Sequence, residues 1–276
     1  MRRYLSISLL LLGVLSARAQ TPVTGNTQEF ATCAAGSCTA TLANPSTAGN
    51  AYVVFVGPTT NTSQSVVSVA DTNLNAYNSE TSMQFNPGFS GSCSGFVCGY
   101  QTFVACNISV ALHATPTFTI TLNGGAGGAH TTISEIGGVL ASSSCTPGGH
   151  GATTANAGTA GTQFSSGTVA TAKANALIVG CATTNNGNTT VGTGYSLLGA
   201  SHSFNICEQK NVTALGSYDA KFSSTVNSDQ MMAQVTILYS STQPAGGFPM
   251  VIKYRAAPYK KIPWDNRKRK LETVRT

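Results

Sequence analysis

Charge is what this sequence lacks most. Of its 276 residues only 9% are Asp, Glu, Lys or Arg, against roughly 25% in an average soluble protein. A coiled coil or helical bundle draws about half its residues from Ala, Glu, Lys, Leu and Arg, and is thereby excluded. A charge-extended disordered chain needs high net charge and few aliphatics, whereas 41% of this chain is hydrophobic. Tryptophan is almost absent, the one residue being Trp264. Beyond the first 20 residues no apolar run approaches the ~20 residues of a membrane-spanning helix. Cations are missing from the body of the chain. Residues 20–245 hold three lysines against seven carboxylates, 1–19 carry three arginines, and 246–276 carry nine basic residues against two acidic ones. The net charge of +6 is therefore a property of the two ends. A body that binds nucleic acid needs a basic stripe to neutralise phosphates. None precedes residue 250, so no nucleic-acid partner is expected.

The first residues, MRRYLSISLLLLGVLSARAQ, combine Arg2 and Arg3, an apolar stretch from Leu5 to Leu15 and Ala17-Arg18-Ala19 before Gln20. That is the three-part pattern of a cleaved signal peptide. Residues 1–19 are expected to direct export to the periplasm, cell surface or medium, leaving a mature chain without a transmembrane segment. Eight cysteines, Cys33, Cys38, Cys93, Cys98, Cys106, Cys145, Cys181 and Cys207, agree with an oxidising compartment. Eight cysteines allow 105 pairings. The short spacings in CAAGSC and CSGFVC favour Cys33–Cys38 and Cys93–Cys98, and of the three ways to pair the remaining four, Cys106–Cys145 with Cys181–Cys207 is the expected one. Zinc is the alternative for closely spaced cysteines. Export and scattered histidines (His113, His130, His150 and His202) argue against it, and no cofactor is expected.

Thr, Ser, Val, Gly and Asn dominate what remains, and they favour strands and turns. AYVVFVG (51–57) and NALIVGCAT (175–183) are apolar on both alternating faces, as central strands are. TFTITL (117–122) alternates strictly, with Phe118, Ile120 and Leu122 on one face. QSVVSVAD, YQTFVACNISV, HTTISEIGGV, SFNICEQ, GSYDAKFSS and DQMMAQVTILY continue the series. About ten short strands with no amphipathic helix between them predict an all-β antiparallel two-sheet sandwich over residues 20–245. Residues 146–167 read as a low-complexity surface loop. Residues 246–276, rich in Pro and basic residues, read as a disordered tail.

The order of these segments resembles a group of uncharacterised secreted and phage-encoded β-sandwich proteins. The similarity runs from AYVVFVG through VVSVADTNLNAY, YQTFVACNI, TFTITL and SEIGGV to ANALIVGCAT, TGYSLLG and MMAQVTILY, over roughly residues 48–240. The resemblance implies a jelly-roll-like sandwich and carries no settled activity. The eight cysteines and the basic tail depart from the group's pattern.

Residues that could carry chemistry are few. Glu135, in phase with Ile133, is predicted to point inward, where a buried carboxylate can act as a general acid. Glycoside hydrolysis needs a second carboxylate about 5–10 Å away, and no spacing among Glu80, Glu208, Asp219 and Asp229 pairs one with it. DTNLN begins like a calcium loop. Ala76 and Ser82 stand where such a loop needs Gly and Glu, so Asp71 is at most a single-carboxylate metal candidate and more simply the head of an Asx turn. Tyr77, Phe89, Phe96 and Tyr100 lie in one segment that a Cys93–Cys98 bridge would stiffen. Aromatic rings on rigid loops are a common way to hold sugars, so these four are the expected ligand contacts. The expected function is a non-catalytic secreted module that binds a glycan or anionic envelope polymer. The alternatives are a polysaccharide-cleaving enzyme using Glu135 and a structural subunit of a surface or phage-like assembly. In the tail, Tyr254, Tyr259 and Trp264 are interleaved with cations suited to an anionic surface.

Overall fold

The computed structural model describes residues 21–31, 36–58, 65–79, 83–85, 98–123, 129–139, 150–156, 163–184, 189–199, 205–224 and 231–240. Residues 1–19, read above as a signal peptide, and 246–276, read as a tail, lie outside these residues. All regular structure within them is β. In chain order the strands are β1 (Thr21–Ala31), β2 (Ser37–Thr41), β3 (Ala51–Pro58), β4 (Ser65–Asp71), β5 (Asn78–Ser79), β6 (Met83–Phe85), β7 (Cys98–Cys106), β8 (Thr117–Asn123), β9 (Ala129–Gly137) and β10 (His150–Asn156). They continue with β11 (Gln163–Ser165), β12 (Val169–Ala170), β13 (Ala176–Thr184), β14 (Thr189–Val191), β15 (Ser196–Leu197), β16 (Asn205–Val212), β17 (Ser217–Tyr218), β18 (Lys221–Ser224) and β19 (Met231–Tyr239).

The antiparallel sandwich expected from the alternation is present, with more layers than two. One large sheet has the order β1-β9-β3-β7-β5, with β6 also on β7, and a second has the order β10-β19-β13-β16-β15. Smaller sheets, β2-β8-β4 and β11-β18-β14, and the pair β12-β17 complete the fold. The two large sheets face each other across a cluster that includes Val53, Phe55, Val104 and Ile136 on one side and Leu177, Val179, Cys207 and Leu238 on the other. The opposite face of β3, through Tyr52, Val54 and Val56, packs on Phe118, Ile120 and Leu122 of β8. The opposite face of β13, through Ala176, Ile178 and Ala182, packs with Phe222 of β18. Both strands that read as apolar on two faces are thus central strands covered on two faces. β8 shows the predicted period, with Phe118, Ile120 and Leu122 buried and Thr119 exposed.

The two large sheets repeat one another. Strand for strand, β1-β9-β3-β7-β5 has the topology of β10-β19-β13-β16-β15, and β2-β8-β4 that of β11-β18-β14. The chain is a tandem pair of half-sandwiches packed large sheet to large sheet. One expectation is corrected here. The Gly/Ala/Thr stretch read as a loop contains β10, which pairs with β19, and β11, which pairs with β18. Small side chains give no periodic signal, but their backbone groups pair as well as any others.

Cys181 and Cys207 face each other on neighbouring strands with Cα atoms 4.1 Å apart, and they form the predicted disulfide. Cys38 and Cys106 are also disulfide-bonded. Their expected partners Cys33 and Cys145, and the side chains of Cys93 and Cys98, lie outside the described residues.

Candidate binding edge

A dense polar network surrounds the turn between β4 and β5. Asp71 closes β4 and is buried. Its Oδ1 accepts hydrogen bonds from the backbone N–H groups of Asn73 (2.8 Å) and Asn75 (3.2 Å). Its Oδ2 accepts from Asn75 Nδ2 (3.0 Å) and the Tyr77 hydroxyl (2.6 Å). This is an Asx turn extended over seven residues. Four N–H and O–H donors fill the carboxylate. A calcium ion instead requires six to eight oxygen ligands, so the donor set around Asp71 does not suit a cation.

The two asparagines then clamp the connection between β7 and β8. Asn73 Oδ1 accepts from the backbone N–H of Leu112 (3.1 Å) and His113 (2.7 Å), while its Nδ2 donates to the His113 carbonyl (2.8 Å). Asn75 Oδ1 accepts from the Ser109 N–H (2.7 Å), and its Nδ2 donates to the Ser109 carbonyl (3.2 Å). Each side-chain amide stands in for a strand's backbone, so two loops are held as one piece. Between the asparagines Leu74 takes φ 59°, and Asn107 in the partner loop takes φ 54°. A left-handed leucine costs on the order of 1–2 kcal/mol and persists only where its surroundings over-determine it. Leu74 is 81% exposed and Leu112 is 61% exposed. Fixed loops thus present two leucines to solvent.

The four aromatic residues expected to hold a ligand fare differently. Tyr77 is half-buried, lies edge-on to Phe118 at 6.5 Å and supports the Asp71 turn from beneath. Tyr100 is buried between the two large sheets, on the other face of its sheet, and burial raises its phenol pKa. The structure therefore does not bring Tyr77 and Tyr100 together. Phe89 and Phe96 lie outside the described residues.

Glu135 is fully buried on β9. Its Oε1 accepts from the Thr47 N–H (2.8 Å) and Asn50 Nδ2 (2.6 Å), and its Oε2 accepts from Asn26 Nδ2. Those donors join β1 and the segment entering β3, so Glu135 ties three pieces of chain together. Glu208 on β16, one of the carboxylates weighed as a partner for Glu135, is also fully buried, which its spacing to Glu135 did not show. Glu208 accepts from the backbone N–H of Gly192 (2.8 Å) and Lys221 (2.7 Å), and burial pushes its carboxyl up to about 7 against those two hydrogen bonds. The signal was present, because Glu208 is in phase with the apolar Ile206. Asp219 nearby accepts from Ser165 Oγ (2.7 Å) and pairs with Lys221 at 3.7 Å. Among the described residues no three His, Cys, Asp or Glu side chains converge as metal ligands. Glu80 and Asp229 lie outside them. No protein-family model, curated protein or solved structure matches the chain.

Proposed function

We propose that the protein is an exported, non-catalytic module that attaches to an anionic envelope surface, glycan polymers included. The observation that carries the reading is the clamped pair of loops at 71–77 and 107–116. Loops fixed by side-chain hydrogen bonds lose little entropy on binding, and they hold exposed leucines where a turn would ordinarily place polar residues. Glu135 and Asp71, the residues nearest to chemistry in sequence terms, spend their oxygens on internal donors. The basic segment 246–276 adds attraction to anionic groups, about 1 kcal/mol per residue close to such a surface.

The test is binding of the secreted protein to isolated cell envelopes. Leu74→Asp combined with Leu112→Asp is expected to weaken binding by about tenfold or more, since burying each leucine is worth roughly 1.5–3 kcal/mol. Deleting residues 246–276 is expected to remove the salt dependence of what remains. Release of reducing ends from envelope polysaccharide, abolished by Glu135→Gln, would replace this reading with the enzymatic one.

A further inference from the structure

Glu208 joins two layers of the second half. It lies on the outward face of β16, in phase with Ile206 and Val212 of the outer core. Its neighbours in the large sheet are Gly180 on β13 and Leu197 on β15. Its two oxygens reach the smaller sheet. Oε2 accepts from the Gly192 N–H (2.8 Å), one residue past β14, and Oε1 accepts from the N–H of Lys221 (2.7 Å), the first residue of β18. β14 and β18 pair with each other, Val191 opposite Phe222. One side chain thus finishes the β14–β18 ladder and pins its end to β16. Gly192 packs so closely there that a Cβ would lie 2.4 Å from the Lys221 carbonyl oxygen. The turn that follows is closed by the Tyr195 N–H to the Gly192 carbonyl (3.0 Å), and the Tyr195 hydroxyl donates to the Asp219 carbonyl. Residues 192–195 therefore form a strap held down at one end by Glu208 and at the other by the chain entering β18.

A charge on Glu208 is poorly compensated. The side chain is fully buried. Among the described residues it has two donors, both backbone N–H groups, where Glu135 has three donors, two of them side-chain amides. The nearby cations are engaged elsewhere. Lys221 Nζ pairs with Asp219 Oδ2 at 3.7 Å, and Lys210 Nζ lies over the Tyr195 ring, 5.2 Å from its centroid. The charged and titratable groups around the carboxyl are Lys210 on β16 itself, Tyr195 on the strap with Tyr218 of β17 beside it, and Asp219 and Lys221 where β18 begins. β13 and β15 bring Gly180 and Leu197, which carry no charge. Burying a charge without an ion partner is costly. The neutral carboxyl escapes that cost and still accepts at its carbonyl oxygen. Gly180, Leu197 and Ala220 close the other sides, so an ionised Glu208 reaches water by lifting the strap.

We propose that the Gly192–Tyr195 strap is a pH-operated latch, shut over a protonated Glu208 and released when that carboxyl ionises. Release frees Tyr195 and the end of the β14–β18 ladder, above Phe222 of the outer core, and leaves the central cluster between the large sheets closed. The direction follows from linkage. Burial, and then Asp219, hold the closed carboxyl at about 7 against an ordinary 4.5, with the two N–H donors and Lys210 acting the other way. Opening is therefore suppressed below pH 4.5, rises between 4.5 and 7, and levels off above 7.

The experiment is amide hydrogen exchange by NMR on the full chain, from pH 5 to pH 8, with each rate divided by the intrinsic rate at that pH. The opening equilibrium at the Gly192, Tyr195 and Lys221 amides is expected to rise on the order of a hundredfold across that range. Low concentrations of urea are expected to leave this opening unchanged, as a local motion that exposes little surface does, while exchange of the Val54 and Val179 amides follows urea. Glu208→Gln is expected to abolish the pH dependence at the three strap amides. Asp219→Asn is expected to move its midpoint to lower pH and Lys210→Met to higher pH, and these two variants carry the test should Glu208→Gln fail to fold. A pH dependence that survives Glu208→Gln, or a midpoint that neither charge substitution moves, overturns the latch. So does a rise that grows with urea as steeply as at Val54 and Val179, because the opening is then unfolding of the whole molecule.

Discussion

Glu208 and Glu135 are both buried carboxylates, and their surroundings give them different consequences. Glu208 has a folded pKa of about 7 against an ordinary value of 4.5, so protonation favours the folded state. That contribution is fully present below about pH 4.5 and is lost as pH rises through 7. It amounts to about 3 kcal/mol. Urea unfolding at pH 5 and pH 8 is expected to show greater stability at the lower pH, and Glu208→Gln is expected to flatten most of that difference. Asp219 and Lys210 also act on Glu208, in opposite directions, so neither reverses the sign. Glu135→Ala removes the acceptor shared by Asn26, Thr47 and Asn50, of which Asn26 keeps the Pro45 carbonyl, and is expected to cost about 1–3 kcal/mol. Leu74 offers a cleaner separation of roles. Leu74→Gly relieves a left-handed backbone and is expected to hold or raise the melting temperature while weakening envelope binding. A variant that loses stability and keeps binding would contradict the assignment of Leu74 to contact.

At the level of strands, legibility followed side-chain contrast. TFTITL and the two doubly apolar strands were readable because burial on one or both faces selects residue types that show in the sequence. β10 was not readable, since Gly151, Ala152 and Thr153 carry no apolar alternation, while their pairing with β19 is a backbone register. The Asp71 turn was readable as an Asx turn. Its partner loop was not, because Asn73 and Asn75 reach residues more than 30 positions away. Close approach between strands is likewise invisible in sequence. A Cβ on Gly180 of β13 would lie 2.3 Å from Ala220 Cβ and 3.1 Å from Glu208 Cγ. Gly180→Ala is therefore expected to cost about 1–3 kcal/mol through overpacking, seen as a lower denaturation midpoint. Replacing Cys181 and Cys207 together with Ala releases a link spanning 26 residues. The expected loss is about 3 kcal/mol, again read from the midpoint.

At the scale of the whole molecule, the central cluster belongs equally to both halves. Phe55 is fully buried there, and Phe55→Ala is expected to cost about 3–5 kcal/mol. Because each half uses the other as its wall, calorimetry is expected to show one transition that moves as a unit. Two separable transitions would mean that the halves are stable alone. The repeated topology was hidden from sequence inspection, because the two halves agree in strand order and differ in side chains. The turn after β4 opens at Asp71, whose carbonyl accepts Leu74 N–H, and the turn after β14 opens at Gly192, whose carbonyl accepts Tyr195 N–H. One copy stabilises its turn with its own carboxylate. The other borrows Glu208 from a neighbouring strand and keeps a glycine, since a Cβ there would strike the Lys221 carbonyl at 2.4 Å. In a homodimer of identical chains every substitution is made on both sides of the axis at once. With both halves carried by one chain that obligation lapses, and a residue on one side of the central cluster can change while its counterpart on the other side stays.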